Sequence, residues 1–190
     1  HGITGSGKTL VYIELIQQMI EEGKQAIVLI PEIALTYQTV MRFYTRFGER
    51  VSILNSRMSQ GERYDQIERV KKGEVDIMIA PRSALFTPFE KLGLIVIDEE
   101  HEPTYKSEQV PRFHARETAI ERARMEGASV VLGSATPSLE AFYACECGRY
   151  QMLRLRNRTG KQALTEVYVA DMQEELKHGN RSILSDRLKL

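Results

Sequence analysis

Two short stretches of this 190-residue chain concentrate residues with chemistry to do. The first is "GITGSGKT", residues 2–9, which matches the pattern of a glycine, four residues, then Gly-Lys-Ser/Thr. Glycines at 5 and 7 let successive backbone N–H groups converge on one concavity, and a helix starting behind them turns its positive end toward the same point. That is a seat for phosphate oxygens. Gly2, Gly5, Ser6 and Gly7 would wall it, Lys8 would reach the β- and γ-phosphates of ATP, and the Thr9 hydroxyl would hold Mg²⁺. The second stretch is "LIVIDEEHEPTYKSEQVPRFHAR", residues 94–116, where four apolar residues run into four acids and a histidine. Neighbouring carboxylates raise one another's proton affinity unless a cation shares the site; beside Mg²⁺ they stay ionised. Asp98 is therefore the candidate metal ligand, and Glu99 the candidate base that polarises an attacking water. A third signal is "GSATPS", residues 133–138. Its small hydroxyl side chains can hydrogen-bond the acid cluster, and Thr136 before Pro137 also reads as a helix start.

These groups need a scaffold, and hydrophobic periodicity supplies one. Val11, Tyr12, Leu15, Ile16, Met19 and Ile20 recur at helical spacing, followed by Gly23 as a stop. "AIVLI" (26–30) then reads as a buried strand. The alternation continues with a helix over 35–47, a strand at 51–54 and a helix opened by the capping box Ser59-x-x-Glu62 and closed near Gly73. Strands at 75–80 and 94–97 come next. A helix from Ala115 to Met125 stopped by Gly127, a strand at 129–132 and a helix beginning around Thr136-Pro137 complete the pattern. Strands apolar on both faces that alternate with amphipathic helices require an α/β fold, with a mostly parallel sheet covered on both sides. Asp98 and Glu99 then sit at a strand's carboxyl end, where such sheets bind ligands. The alternation stops in "RLRNRTGKQALTE" (154–166), a basic stretch read as a linker, and "EVYVADM" (166–172) begins something else.

Composition sets outer limits. The 26 basic residues balance the 26 acidic ones, so net charge points to no nucleic-acid or membrane partner, and any basic surface must be local. Cys145 and Cys147 are too few for a disulfide framework and fit a reducing compartment; two ligands also fall short of a structural zinc site. No apolar run approaches the roughly 20 residues a membrane helix needs, and no secretory leader is evident. We expect a cytoplasmic protein. The start at His1 and the close on "SILSDRLKL" suggest a piece of a longer chain. The strand that should lead into the phosphate loop would precede His1, so the loop is expected to be mobile or distorted.

The phosphate loop, "PEIALTYQ" (31–38), "DEEH" (98–101) and "GSAT" (133–136), in this order, resemble the first motor lobe of superfamily-two helicases. "DEEHEPTYK", "RFHARETA" and "LGSATPSLEA" are most similar to the PriA-type primosomal replication-restart helicases, over essentially the whole chain. The resemblance implies a RecA-like lobe over residues 1–153, with 154–190 as a linker and the beginning of the second lobe. It implies ATP-driven 3′-to-5′ movement along single-stranded DNA and action on forked DNA beside other replication-restart and primosome proteins in the bacterial nucleoid. It also implies that His101, Ser134 and Thr136 couple hydrolysis to movement, and that a loop from Tyr105 to Arg116 senses DNA. Tyr105 and Phe113 offer stacking faces there, Lys106, Arg112, His114 and Arg116 offer phosphate contacts, and Arg82 and Ser83 of "APRSALF" offer two more.

The match has departures. Ala80-Pro81 stands where the family has Gly-Thr, Asn55 where it commonly has histidine, and Phe113 where tyrosine is usual. The family's zinc-binding cysteines and the second lobe with its arginine finger have no counterpart in this chain, so zinc belongs to the longer family member only. The isolated chain, expected to be a monomer, should bind nucleotide weakly and hydrolyse it negligibly. Two rivals stay open: a phosphate-loop ATPase or kinase that never meets nucleic acid, and a nucleotide-dependent scaffold that does not hydrolyse.

Overall fold

The structure is a computed structural model that describes residues 1–159 and 167–189; the sequence reading of Gly160, Lys161 and Glu166 lies outside the described residues. The chain divides into two compact units, His1–Thr159 and Gly160–Leu190. The first unit alternates α1 (Lys8–Glu21), β1 (Gln25–Leu29), α2 (Tyr37–Phe47), β2 (Val51–Ile53), α3 (Gln60–Lys71), β3 (Ile77–Ala80), β4 (Leu92–Ile97), α4 (Ala115–Glu126), β5 (Ser129–Leu132) and α5 (Leu139–Glu146). In the second, α6 (Met172–Lys177) is capped by the Asp171 carboxylate, which accepts from the backbone N–H groups of Gln173 and Glu174. Sequence periodicity does not reveal that helix.

The five strands form one parallel sheet in the order β2-β3-β1-β4-β5. Side chains alternate across a strand, so each central strand feeds two cores at once. Ile27, Leu29, Met78, Ala80, Ile95 and Ile97 pack with Val70 of α3, with Ala115, Ala119 and Ala123 of α4, and with Leu85 and Phe89. Ala26, Val28, Ile30, Ile77, Ile79, Leu94 and Val96 meet Tyr12, Ile13, Ile16 and Ile20 of α1 and Phe43 and Phe47 of α2 on the other face. α1 and α2 thus cover one side, and α3 and α4 the other. β2 and β5 are the edge strands, and β5 is only partly buried.

The capping box is formed: the Ser59 side chain accepts from the Glu62 N–H, and the Glu62 carboxylate accepts from the Ser59 N–H. One cap lies elsewhere than the sequence suggests. α5 starts at Leu139 with Ser138 as its N-cap, so Thr136 is free for the site. The loop expected to be distorted adopts a defined turn. The Gly2 N–H donates to the Ser134 carbonyl, the Leu155 N–H donates to the His1 carbonyl, and Gly2 and Leu155 form a parallel bridge. Residues 154–159, read from sequence as linker, here lie against the phosphate loop, with the Thr159 N–H and hydroxyl both donating to the Gly5 carbonyl.

Ile16 is fully buried against the sheet, so Ile16→Ala should cost about 2–5 kcal/mol, whereas Ser59→Ala should cost only about 1 kcal/mol. Urea unfolding monitored by circular dichroism checks this; equal midpoint shifts for the two would contradict the packing described.

Candidate active site

The site gathers at the carboxyl ends of β1, β4 and β5, where the strand order reverses direction about β1. Gly7, at φ 88°, is the N-cap of α1 and offers no side-chain acceptor to the helix's first N–H groups. Those donors and the positive helix end remain available to an anion. Gly5, at φ 79°, makes the preceding turn; both angles favour glycine. The Ser6 hydroxyl is buried without a partner among the described residues. A polar atom left so in a loop of this form fits a loop built around phosphate. Lys8 bridges the two sequence signals, since its Nζ donates to the Gly2 carbonyl at 3.0 Å and lies 3.6 Å from Glu99 Oε1.

Three consecutive acids follow β4, and each turns to a different partner. Asp98 Oδ1 accepts from the Tyr12 hydroxyl at 2.9 Å. Burial chiefly holds the Asp98 carboxyl above its ordinary range; the Tyr12 hydrogen bond opposes this and the neighbouring Glu99 adds to it. Burial, and then the same pairing, push the Tyr12 phenol up. Glu99 lies between Lys8 and His101, whose Nδ1 is 3.7 Å from Oε2. Glu100 turns inward. Its carboxylate, 3% exposed, accepts from the Ser138 N–H at 2.7 Å, the Ser138 hydroxyl at 3.0 Å and Arg116 Nη1 at 3.2 Å.

His101 continues the chain of contacts into "GSAT". Its Nδ1 pairs with the Ser134 hydroxyl at 2.8 Å and its Nε2 lies 3.4 Å from the Thr136 hydroxyl. The Thr136 N–H also donates to Ser134 Oγ. Phosphate loop, acids and "GSAT" segment are therefore one polar network. Gly133 has a steric duty in it: a Cβ there would lie 1.6 Å from the Tyr12 hydroxyl.

Thr9 and Asp98 are the side chains that would hold Mg²⁺, two oxygens that leave room for phosphate and water, as Mg²⁺ sites usually do. The donor set fits that ion, and no group of three or more His, Cys, Asp or Glu forms a closed metal cage among the described residues.

The proposed DNA contacts divide. Ser83, Lys106 and Arg112 are exposed, and Phe113 and His114 half-exposed. Phe113 meets Phe86 edge to face, centroids 5.3 Å apart, and Phe86 is 62% exposed. Sequence reasoning missed Phe86, although it closes the same "APRSALF" that drew attention to Arg82. Three expectations need correction. Tyr105 is 1% exposed and offers no stacking face, because its ring fills the core beneath β1 and β4. Arg116 is buried by its pairing with Glu100. Arg82, half-buried, donates from Nη1 to the Thr104 and Lys106 carbonyls, so that nitrogen serves the loop rather than a phosphate. His114 caps α4, its Nδ1 accepting from the Arg116 N–H. Tyr12, read from sequence only as an apolar helix position, belongs to the site; its place one turn beyond Lys8 was the available signal.

A RecA-like α/β lobe carrying a phosphate loop, a "DEEH" turn and a "GSAT" turn in one network defines a helicase domain. The model of the DEAD/DEAH box helicase family matches residues 1–143, and the chain belongs to that family. Its similarity runs to particular members: it is 50% identical to the replication restart protein PriA of Bacillus subtilis over 99% of this chain and 23% of that protein. It is 44% identical to the PriA of Synechocystis over 100% of this chain and 23% of that protein. The chain thus spans about a quarter of the length of these relatives. In fold it is similar to RecG bound to a three-way DNA junction (TM-score 0.58, 21% identity, 84% of this chain, 20% of that one). The Hef helicase domain of Pyrococcus furiosus is also similar (TM-score 0.57, 18% identity, 83% of this chain, 34% of that one).

Gly133→Ala and Tyr12→Phe act on one contact, so their destabilisations should be non-additive by about 0.5–3 kcal/mol, Gly133→Ala being milder once the hydroxyl is gone. Thermal melting of the two single variants and the double variant measures this; strict additivity would separate Gly133 from Tyr12.

Proposed function

We propose that this chain is the nucleotide-binding motor lobe of a replication-restart DNA helicase, with residues 1–153 as the first lobe and 154–190 as a linker and the start of the second. The observation that carries the reading is the continuous polar path from Lys8 through Glu99 and His101 to Ser134 and Thr136. A nucleotide-independent protein has no need of that path. The similarity to replication restart proteins PriA over nearly the whole chain supports a role in replication restart; we extend that role to 3′-to-5′ movement on forked DNA beside replication-restart and primosome partners.

In this reading Gly2, Gly5, Ser6 and Gly7 cradle the phosphates of ATP, and Lys8 releases Gly2 and Glu99 to neutralise them. Mg²⁺, when held by Thr9 and Asp98, supplies charge stabilisation at the phosphate oxygens. Tyr12 keeps Asp98 turned toward that position. Glu99 accepts a proton from water as the water oxygen attacks the γ-phosphorus and the bond to the bridging oxygen of ADP breaks. His101 passes the state of Glu99 to Ser134 and Thr136. DNA meets the segments that follow β3 and β4 at the same edge of the sheet, where Ser83, Lys106, Arg112 and His114 face phosphates and Phe113 with Phe86 offers a base-stacking surface.

In the full-length protein, Lys8→Ala should abolish ATP-driven unwinding of a forked substrate. Glu99→Gln should keep ATP affinity within about threefold and lower turnover by about 10²–10⁴. Single-stranded DNA should stimulate the parent enzyme's ATP hydrolysis; no stimulation would favour an ATPase that never meets nucleic acid. An Arg112→Ala, Phe113→Ala pair should weaken DNA binding and reduce its salt dependence by about one phosphate contact, with nucleotide affinity spared. The isolated 190-residue chain should hydrolyse ATP negligibly, since an arginine finger from a second lobe contributes about 10³–10⁵ in related phosphoryl transfers.

A further inference from the structure

Glu99 has φ 46°, and among the described residues it alone carries a positive φ without being glycine. A side chain in the left-handed region is strained, and such strain persists only where the surroundings over-determine it. The surroundings here can be named. On one side of Glu99, the Asp98 N–H donates to the Leu29 carbonyl, and the Tyr105 hydroxyl sits 2.7 Å from the Asp98 carbonyl and 3.1 Å from that of Leu29. On the other side, the Glu100 N–H donates to the Gly133 carbonyl at 3.0 Å. The Glu100 side chain is locked by Ser138 and Arg116, and Arg116 Nη1 donates to the Ser138 hydroxyl at 2.7 Å. Relaxing φ at Glu99 would turn one of the flanking peptides, and both are fastened.

The Glu100–Arg116 pair is a weak stability device, because desolvating both charges offsets most of their attraction. What it supplies is geometry. Tyr105 is likewise costly as mere filler, since a phenylalanine would pack the same space without a hydroxyl to satisfy. These two residues also stand at the two ends of one loop, which closes on itself through the Lys106–His114 bridge and the Ser107 N–H donating to the Phe113 carbonyl. The loop is strapped to both flanks of the hydrolytic glutamate.

We propose that Tyr105 and the Arg116–Glu100 pair are positioning residues that hold the Glu99 backbone left-handed and so aim its carboxylate. The proposal rests on the role given to Glu99 above. The test is steady-state ATP hydrolysis by the full-length protein at saturating single-stranded DNA. Tyr105→Phe, which deletes one hydroxyl and keeps the ring, should lower kcat about tenfold, equivalent to about 1.4 kcal/mol. KM for ATP and the affinity for a non-hydrolysable ATP analogue should stay within about twofold, a split that general loosening would not produce. Glu100→Gln, which keeps size but presents a neutral group to Arg116, should show the same split and serves as the readout if circular dichroism shows Tyr105→Phe to be unfolded. A folded variant with kcat within about twofold of the parent overturns the proposal. If the parent hydrolyses ATP and Glu99→Gln does not, that failure concerns the positioning residues alone; if Glu99→Gln retains full turnover, the role of Glu99 itself falls.

Discussion

Three carboxylates in a row at the end of a buried strand repel one another, and the rest of the site follows from how that repulsion is relieved. Successive residues of a turn point in different directions, so each acid can be given its own partner. Asp98 takes a phenolic hydroxyl, Glu99 a lysine and a histidine, and Glu100 a buried arginine with a serine. The three environments have different chemistry. A buried acid with a neutral donor suits a cation, one between basic groups at the surface suits proton transfer, and one sealed by an arginine is structural.

That distribution is possible because the sheet is parallel and closed on both faces. Each strand then ends at the same edge, and residues far apart in sequence converge there without long loops. Tyr12 of α1 reaches Asp98 after β4 because α1 packs across the face formed by Val28, Leu94 and Val96. Arg116 reaches Glu100 from the opposite face, where α4 packs. The acid cluster is gripped from both layers of helices at once.

The strands and helices of the first unit were legible in the sequence because their periodicity is set by burial, which is nearly complete in β1, β3 and β4 and one-sided in the helices. The phosphate loop, Asp98 and Glu99 were legible as candidates because their spacing encodes a local geometry, and His101, Ser134 and Thr136 through the resemblance of "DEEH" and "GSAT" to helicase motifs. Tyr105 and Arg116 were not. An aromatic and an arginine among charged residues in a loop look like surface in one dimension, and only the fold shows that the loop tucks both ends beneath β1 and β4. Tyr12 was hidden for the opposite reason: an aromatic at core spacing is read as filler, and its hydroxyl carries no periodic signature. The α5 start was misread because Thr136-Pro137 and Ser138 are both competent caps, and the network at His101 decides between them.

The left-handed angle at Glu99 also bears on how this protein can be improved by design. Glycine and asparagine are the residues that accept such a backbone most readily, and neither can take up a proton from water. A redesign that scores stability alone would therefore replace Glu99 first, gaining about 1–3 kcal/mol of released strain. In the role proposed for Glu99, that sturdier protein would lack its proton acceptor. Thermal robustness and the proposed chemistry compete at this position, and the residue present is the one that stability alone would not choose.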